Sequence, residues 1–398
     1  MNYKQLIVLI SQGLKTSLQR DLDNFYKEVN STDFNIRTVT KSAFSQARAK
    51  LNPEAFVELN QNVNQTFYTQ APYLVWKNMR LLAVDGSRLV LPNHPSIEKE
   101  FGTHHFGPKA DSKRSLALCS FLYDTLNLLT LDAQIAPYSC SEKELLYKHL
   151  DKVKAGDLVL LDRGYPSIAM FFLFKALGIE FCARMKDDWW LKVKEFNESG
   201  DKESIVKFKL PKKDQKLLAD YPEMFDKEIE CRLVRIELDN GEFEILCTSL
   251  TDSEMVPYDD MAELYHHRWN IEEGFKLFKA RIEVESFTGK TARAVKQDFF
   301  AKVFMMSLCA NLAFPIEEKV KKESRESANK HPQKINRTSA FEMLRKISIG
   351  FFLKNMVKKA LVFFDMLVQK TTEIVRPNRK VVRKKKPKKL YFMNYKPL

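Results

Sequence analysis

At 398 residues, 44% hydrophobic and 29% charged, the chain has the composition of an ordinary folded protein and room for two or three domains. Six cysteines stand singly with no C-x-x-C pair, which argues against a zinc site and a secreted disulfide framework and fits a reducing cytoplasm. The formal net charge of +14 calls for a polyanionic partner, nucleic acid before a membrane surface, because lysines and arginines that neutralise phosphates release condensed counterions.

Residues 1–74 read as a helical N-terminal region. The apolar run at 6–10 is too short for the hydrophobic part of a signal peptide. Thr40 and Ser42 can cap a helix over 43–51, and Asn52-Pro53 opens another. Lys41, Arg48 and Lys50 read as exposed basic positions. They suit a small DNA-binding bundle, and a plain helical cap on the core fits equally well.

From residue 80 the pattern changes to strands. The run Leu81-Leu82-Ala83-Val84 ends in Asp85-Gly86, and two strand-like runs, 115–123 and 126–135, turn at Asp124. A helix over 141–150 carries Ser141 as its cap with Glu144 at the capping-box position. Then Leu158-Val159-Leu160-Leu161 ends in Asp162-Arg163-Gly164, followed by a helix at 167–177 and a strand at 179–184. Wholly apolar runs of four predict strands covered on both faces, hence a central sheet between helices. Lys109, Lys113 and Arg114 precede a strand and suit either phosphate tracking or a solvated turn. His104 and His105 are adjacent on a strand and so point to opposite faces, which argues against a metal pair.

Residues 186–256 read as a β-rich insertion, with a hairpin of 234–238 and 243–247 around Asp239-Asn240-Gly241. Trp189 and Trp190 at its start read as core aromatics before base-stacking ones. Helix returns at Asp259 and dominates to about residue 374. The apolar stretch 299–315 contains Lys302 and Asn311, so it reads as a buried core helix and not a membrane span. After the helical region 316–375, the tail 376–398 holds ten basic residues and no acidic one, leaving +4 for the rest (14 minus 10). Its Leu390-Tyr391-Phe392 sets aromatics beside basic residues, which suits a nucleic-acid strand.

Three strands, a helix, a strand, a helix and a strand make the order of an RNase H-like core. The fold class read here is α/β: an RNase H-like mixed sheet flanked by helices, split into 75–185 and 257–315 by the β-rich insertion, with helical N- and C-terminal regions. Two strands end in carboxylates, Asp85 and Asp162. Taken singly, such an aspartate is more often a cap of the next helix. Together they suit phosphodiester chemistry, in which closely grouped hard oxygen ligands hold divalent ions.

The helix from Asp259 adds a third carboxylate. With Tyr265 set at zero, a uniform wheel puts Arg268 near about −60°, Glu272 near about −20° and Lys279 near about −40°. Leu264, Ile271, Phe275 and Phe278 fall on the neighbouring, core-facing stripe. The bland alternative is a solvated face with an Arg–Glu pair four residues apart.

The spacing Tyr265, Arg268, Glu272, Lys279 resembles the Y-R-E-K signature of DDE transposases of the insertion-sequence-4 family. The contexts Asp85-Gly86-Ser87 and Asp162-Arg163-Gly164-Tyr165 resemble that family's first and second catalytic aspartates. His266, His267 and Glu273 depart from its flanking positions. The resemblance covers about residues 75 to 315 and implies catalytic and metal-binding roles for Asp85, Asp162 and Glu272. Two Mg²⁺ ions are implied there, with Mn²⁺ as a substitute, and contacts to transposon-end DNA for Tyr265, Arg268 and Lys279. It further implies double-stranded DNA ends and target DNA as partners, a homodimer in the synaptic complex, no membrane, and a bacterial, nucleoid-associated cytoplasmic location. The rival readings are a structure-selective nuclease on the same fold and a non-catalytic transposition inhibitor.

Overall fold

The computed structural model describes residues 1–376, apart from Lys15, 107–111, Asp187, Trp189, 239–240 and 328–330. The basic tail beyond Arg376, Lys109, Trp189 and the Asp239-Asn240 turn therefore lie outside the described residues. Four helices open the chain: α1 (Tyr3–Gln12), α2 (Leu18–Asn30), α3 (Lys41–Lys50) and α4 (Glu54–Gln70). Thr40 caps α3 as its sequence predicts, accepting the Ala43 amide. Leu6, Leu9, Leu22, Phe25, Phe44 and Phe56 pool their apolar faces into one cluster.

Arg48 corrects the sequence reading of an exposed base. It is 5% exposed, and its guanidinium donates to Gln297 Oε1 (2.7 Å), Asp298 Oδ1 (2.7 Å), the Ala294 carbonyl (2.8 Å) and Thr288 Oγ1. Burial is tolerable because acceptors some 240 residues away satisfy the charged fork. Lys41 and Lys50 are exposed.

Next along the chain come β1 (Leu81–Val90), α5 (Pro95–Phe101), β2 (His104–Phe106), β3 (Ser112–Arg114), β4 (Leu116–Asp124) and β5 (Leu129–Pro137). They are followed by α6 (Glu142–His149), β6 (Leu158–Leu161), α7 (Ile168–Leu177), β7 (Glu180–Arg184) and α8 (Leu191–Ser199). Then β8 (Glu203–Lys209), β9 (Glu228–Glu237) and β10 (Phe243–Thr248) lead into the main sheet. Its order is β5-β4-β1-β6-β7-β10-β9-β8. The first five strands have the RNase H-like order, and β1, β6 and β7 are parallel, with Leu81 opposite Leu158 and Leu161 opposite Ala183. The strands of the 186–256 segment continue this sheet, because β10 pairs antiparallel with β7. Both apolar runs of four are wholly buried, as expected for strands covered on both faces.

β1 runs beyond the end read from the sequence. Asp85 lies within it, since the strand persists through Leu89 (buried) and Val90, whose amide donates to Glu285 Oε1 at 2.9 Å. The Asp124 turn forms as read: its Oδ1 accepts the Leu126 and Asn127 amides, and Leu128 takes a left-handed φ of 59°.

The helix read from Asp259 is not uniform. α9 (Asp260–His266) passes through a 3₁₀ turn at His267–Trp269 into α10 (Asn270–Lys276), and a π-helical turn spans Leu277–Arg281. α11 (Ala292–Glu326) encloses the 299–315 stretch, is mostly buried, and has Pro315 inside it. Lys302 is tolerated there because its ammonium donates to the carbonyls of Glu283, Val284 and Ser286. Helix dominates beyond it, with one short ribbon added. β11 (Gln333–Ile335), α12 (Arg337–Phe352), α13 (Val357–Lys370) and β12 (Thr372–Ile374) follow, and β11 pairs with β12, a ribbon that favours its β-branched residues.

Two compact units result. One gathers Met1–Ala71, Arg88–Ala117 and the described residues from Phe275 onward; the other gathers Pro72–Ser87 and Leu118–Gly274.

Candidate active site

The second unit contains five of the six residues singled out by the sequence. Val84 on β1 pairs with Leu161 on β6 in parallel register, so Asp85 and Asp162 occupy the next positions on neighbouring strands. Parallel partners project to the same face, and adjacent strands lie about 4.8 Å apart. The register therefore places each aspartate one residue beyond a paired position, and Arg268 feels the charge of both.

α10 is docked by two local choices. The Asn270 side chain donates to the Thr125 carbonyl at 2.9 Å, and Gly274 lets the helix approach Tyr123, since a Cβ there would stand 3.2 Å from the ring. Just upstream, the buried Tyr265 hydroxyl donates to the Leu161 carbonyl at 3.4 Å, beside Asp162. Arg268 is 4% exposed, and its Nη2 donates to Glu272 Oε1 at 3.1 Å. Glu272 is half-buried and its neighbour Glu273 is exposed, which agrees with the helical wheel.

Lys279 belongs to the other unit. It donates to the Arg88 carbonyl at 2.7 Å, near the end of β1. The helical wheel assumes 3.6 residues per turn, whereas Lys279 sits within the π turn, whose i→i+5 bonds put more residues in each turn and rotate each one less.

Electrostatics bind the second unit's charged groups into one cluster. Burial pushes the Asp85 carboxyl up to about 6; Glu142 and Glu272 add to the rise, while the Gly86 amide and Arg268 oppose it. Burial, then the charge of Asp162, raises Glu142 on α6. Burial works against the Arg268 charge, yet Tyr265, Asp162, Glu272 and Asp85 together hold it above its usual range. Tyr165 is 1% exposed, and its hydroxyl is raised by burial and then by Glu142, Asp85 and Asp162.

Glu142 and the role of Tyr165 escaped the sequence reading. The signal for Glu142 was a carboxylate standing one residue inside a capping box that did not require it. For Tyr165 it was position alone, three residues after Asp162.

The donor set has the chemistry of a divalent-ion site, with hard carboxylate oxygens on rigid strands and helices. Asp162 Oδ1 is buried with no hydrogen-bond partner, as an oxygen reserved for a cation would be. Among the described residues no three His, Cys, Asp or Glu side chains close to metal-ligand spacing, and Glu272 faces Arg268.

The family described as Transposase DDE domain matches residues 76–309, a span holding all six residues. The transposase InsG for insertion sequence element IS4 of Escherichia coli (strain K12) is 26% identical over 273 residues, covering 68% of this chain and 60% of that protein. The match thus spans less than two thirds of that relative's length. Among solved structures, a piggyBac transposase synaptic complex with hairpin DNA is similar at 9% identity and a TM-score of 0.47, covering 92% of this chain and 75% of that one. The NurA nuclease from Sulfolobus solfataricus is similar at 11% identity and a TM-score of 0.22, covering 61% and 98%.

Proposed function

The chain belongs to the DDE transposase family, and from that premise we propose that it is a DNA transposase that cuts the ends of an insertion element and joins their 3′-hydroxyls to target DNA. The observation that supports this reading is the parallel register of β1 and β6, which pairs Val84 with Leu161, the residues before Asp85 and Asp162, while Arg268 feels the charges of Asp85, Asp162 and Glu272 alike.

Asp85, Asp162 and Glu272 would hold the divalent ions, two Mg²⁺ or Mn²⁺ in their place. Such ions supply the Lewis acidity and oriented attack that phosphodiester cleavage requires. Arg268 balances part of the carboxylate charge, and Tyr265 braces the strand end that carries Asp162. The resemblance assigns Tyr265, Arg268 and Lys279 to transposon-end DNA. Double-stranded ends and target, a homodimeric synaptic complex, a helical DNA-binding region at 1–74, and a nucleoid-associated place in the cytoplasm complete the proposal.

The test is incubation of the purified chain with its flanking genomic DNA and Mg²⁺, followed by sequencing of the products. Cut ends joined to new sites are expected, and Asp85→Asn, Asp162→Asn and Glu272→Gln should abolish both steps. Cleavage without joining would make the chain a nuclease. Neither step would leave a DNA-binding protein.

A further inference from the structure

α6 begins with a carboxylate that its own helix does not use. Ser141 Oγ accepts the Glu144 amide at 3.2 Å, and Glu144 Oε2 accepts the Ser141 amide at 3.0 Å, which completes the capping box. Glu142 takes no part in it. Its side chain instead reaches the backbone beside both aspartates. A Cβ built on Gly86 would stand 2.7 Å from Glu142 Oε1, and one on Gly164 would stand 3.5 Å from Oε2. Gly86 follows Asp85 by one residue, and Gly164 follows Asp162 by two. One carboxylate therefore lies against both the glycine after Asp85 and the glycine two residues after Asp162.

Two further groups point to a ligand at this place. The Tyr165 hydroxyl is buried, has no hydrogen-bond partner, and lies near enough to Glu142, Asp85 and Asp162 to feel the charge of each. Asp162 Oδ1 is buried and equally without a partner. Buried polar atoms are almost always bonded, so two orphans converging on one carboxylate cluster mark a place for something that bonds oxygen. The charges agree. Asp85, Asp162 and Glu272 act on the Arg268 guanidinium, and Glu142 adds its charge to theirs through Asp85 and Asp162, an excess of negative charge that a divalent cation would balance.

We propose that Glu142 supplies a fourth carboxylate to the divalent-ion site of Asp85 and Asp162, and that residue 86 is glycine because a methyl there would displace that carboxylate. The inference rests on the reading that Asp85 and Asp162 hold the ion. At Gly164 the spacing is an ordinary contact, so alanine fits there.

The test is binding of Mn²⁺ alone to the full chain, without DNA, followed by the paramagnetic resonance of the free ion. Glu142→Gln is expected to weaken binding on the order of tenfold or more, while Glu144→Gln, which preserves the cap, leaves it unchanged. Gly86→Ala should weaken binding in the same direction, and Gly164→Ala should not. Parent affinity in Glu142→Gln, alongside loss in Asp162→Asn, overturns the role of Glu142 and leaves the aspartate site standing. Parent affinity in Asp162→Asn as well places the ion elsewhere and overturns both readings. If Glu142→Gln does not fold, Glu142→Asp keeps the charge but falls one methylene short. It should bind several-fold more weakly, and parent affinity in it overturns the proposal.

Discussion

Arg268 Nη2 holds Glu272 Oε1 at 3.1 Å, one helical turn along, with the arginine side chain buried and the glutamate partly open. Surface pairs of this spacing contribute little. This one differs because the guanidinium also lies 5.7 Å from the Tyr265 ring centre and 5.4 Å from that of Trp269, and feels Asp85 and Asp162. Arg268 is thus the internal cation of a carboxylate cluster. Any divalent ion bound there competes with it for Glu272.

That competition predicts the behaviour of Arg268→Gln. Removing the positive charge should raise the affinity of the full chain for Mn²⁺ several-fold, while lowering thermal stability by about 1–3 kcal/mol. Calorimetric titration and a melting curve read the two effects. Weaker Mn²⁺ binding in the folded variant would mean that Arg268 positions Glu272 for the ion.

Glu272 and Glu273 should separate cleanly. Glu272→Gln is expected to eliminate Mg²⁺-dependent cleavage with a normal melting curve. Glu273 is exposed, and its change to Gln should retain most activity. Both variants are assayed on the same labelled end substrate. A dead Glu273→Gln would mean that the third catalytic carboxylate is misassigned.

Arg48→Met should destabilise the first unit. Its pair with Asp298 is buried on both sides, so removing one partner strands the other, at a cost of about 3–5 kcal/mol. Urea unfolding at neutral pH measures this. A loss under about 1 kcal/mol would show that Asp298 finds replacement donors.

Acid stability should depend on Asp132. Its Oδ2 lies 2.6 Å from His149 Nδ1, and Ser120 Oγ lies 3.0 Å from His149 Nε2, all three residues being buried. Burial opposes the Asp132 charge, but the hydrogen bonds of His149, Gln134 and the Ala133 amide, with the His149 charge, outweigh it and hold the carboxyl below its usual range. A depressed folded-state value stabilises the fold above the unfolded value of about 4 and is lost as pH falls through the folded one. Asp132→Asn should therefore melt lower at pH 7 and show a shallower decline below about pH 4. Parallel declines in parent and variant would remove Asp132 as the cause. Ser120→Ala should leave DNA cleavage intact, because Ser120 and the His149 it contacts are fully buried.

Deleting residues 376–398 should weaken DNA binding across sequences. Each lost phosphate contact should flatten the log–log salt slope by about 0.9. Filter binding from low to moderate salt reads the slope. An unchanged slope would make the tail a solvated appendage.

Much of the core was legible because its causes are local. Residues 81–84 and 158–161 are apolar at every position, as strands covered on both faces are, and Ser141 with Glu144 announces the helix it caps. The spacing of Tyr265, Arg268 and Glu272 reads as one helical stripe, and it survives the short 3₁₀ turn that separates α9 from α10 in that Glu272 still pairs with Arg268. Pairing, by contrast, is settled between segments far apart in sequence. Arg48 reads as a surface base until Asp298 and Gln297 are found around it. The π turn at Leu277–Arg281 has no marker in its residue types, yet it changes the rotation of Lys279. Glu142 looks like one more acid in a helix's first turn. Only the packing of α6 against Gly86 and Gly164 brings its carboxylate to the backbone that follows the two aspartates, because that approach is set by backbone spacing across the fold, which no local pattern encodes.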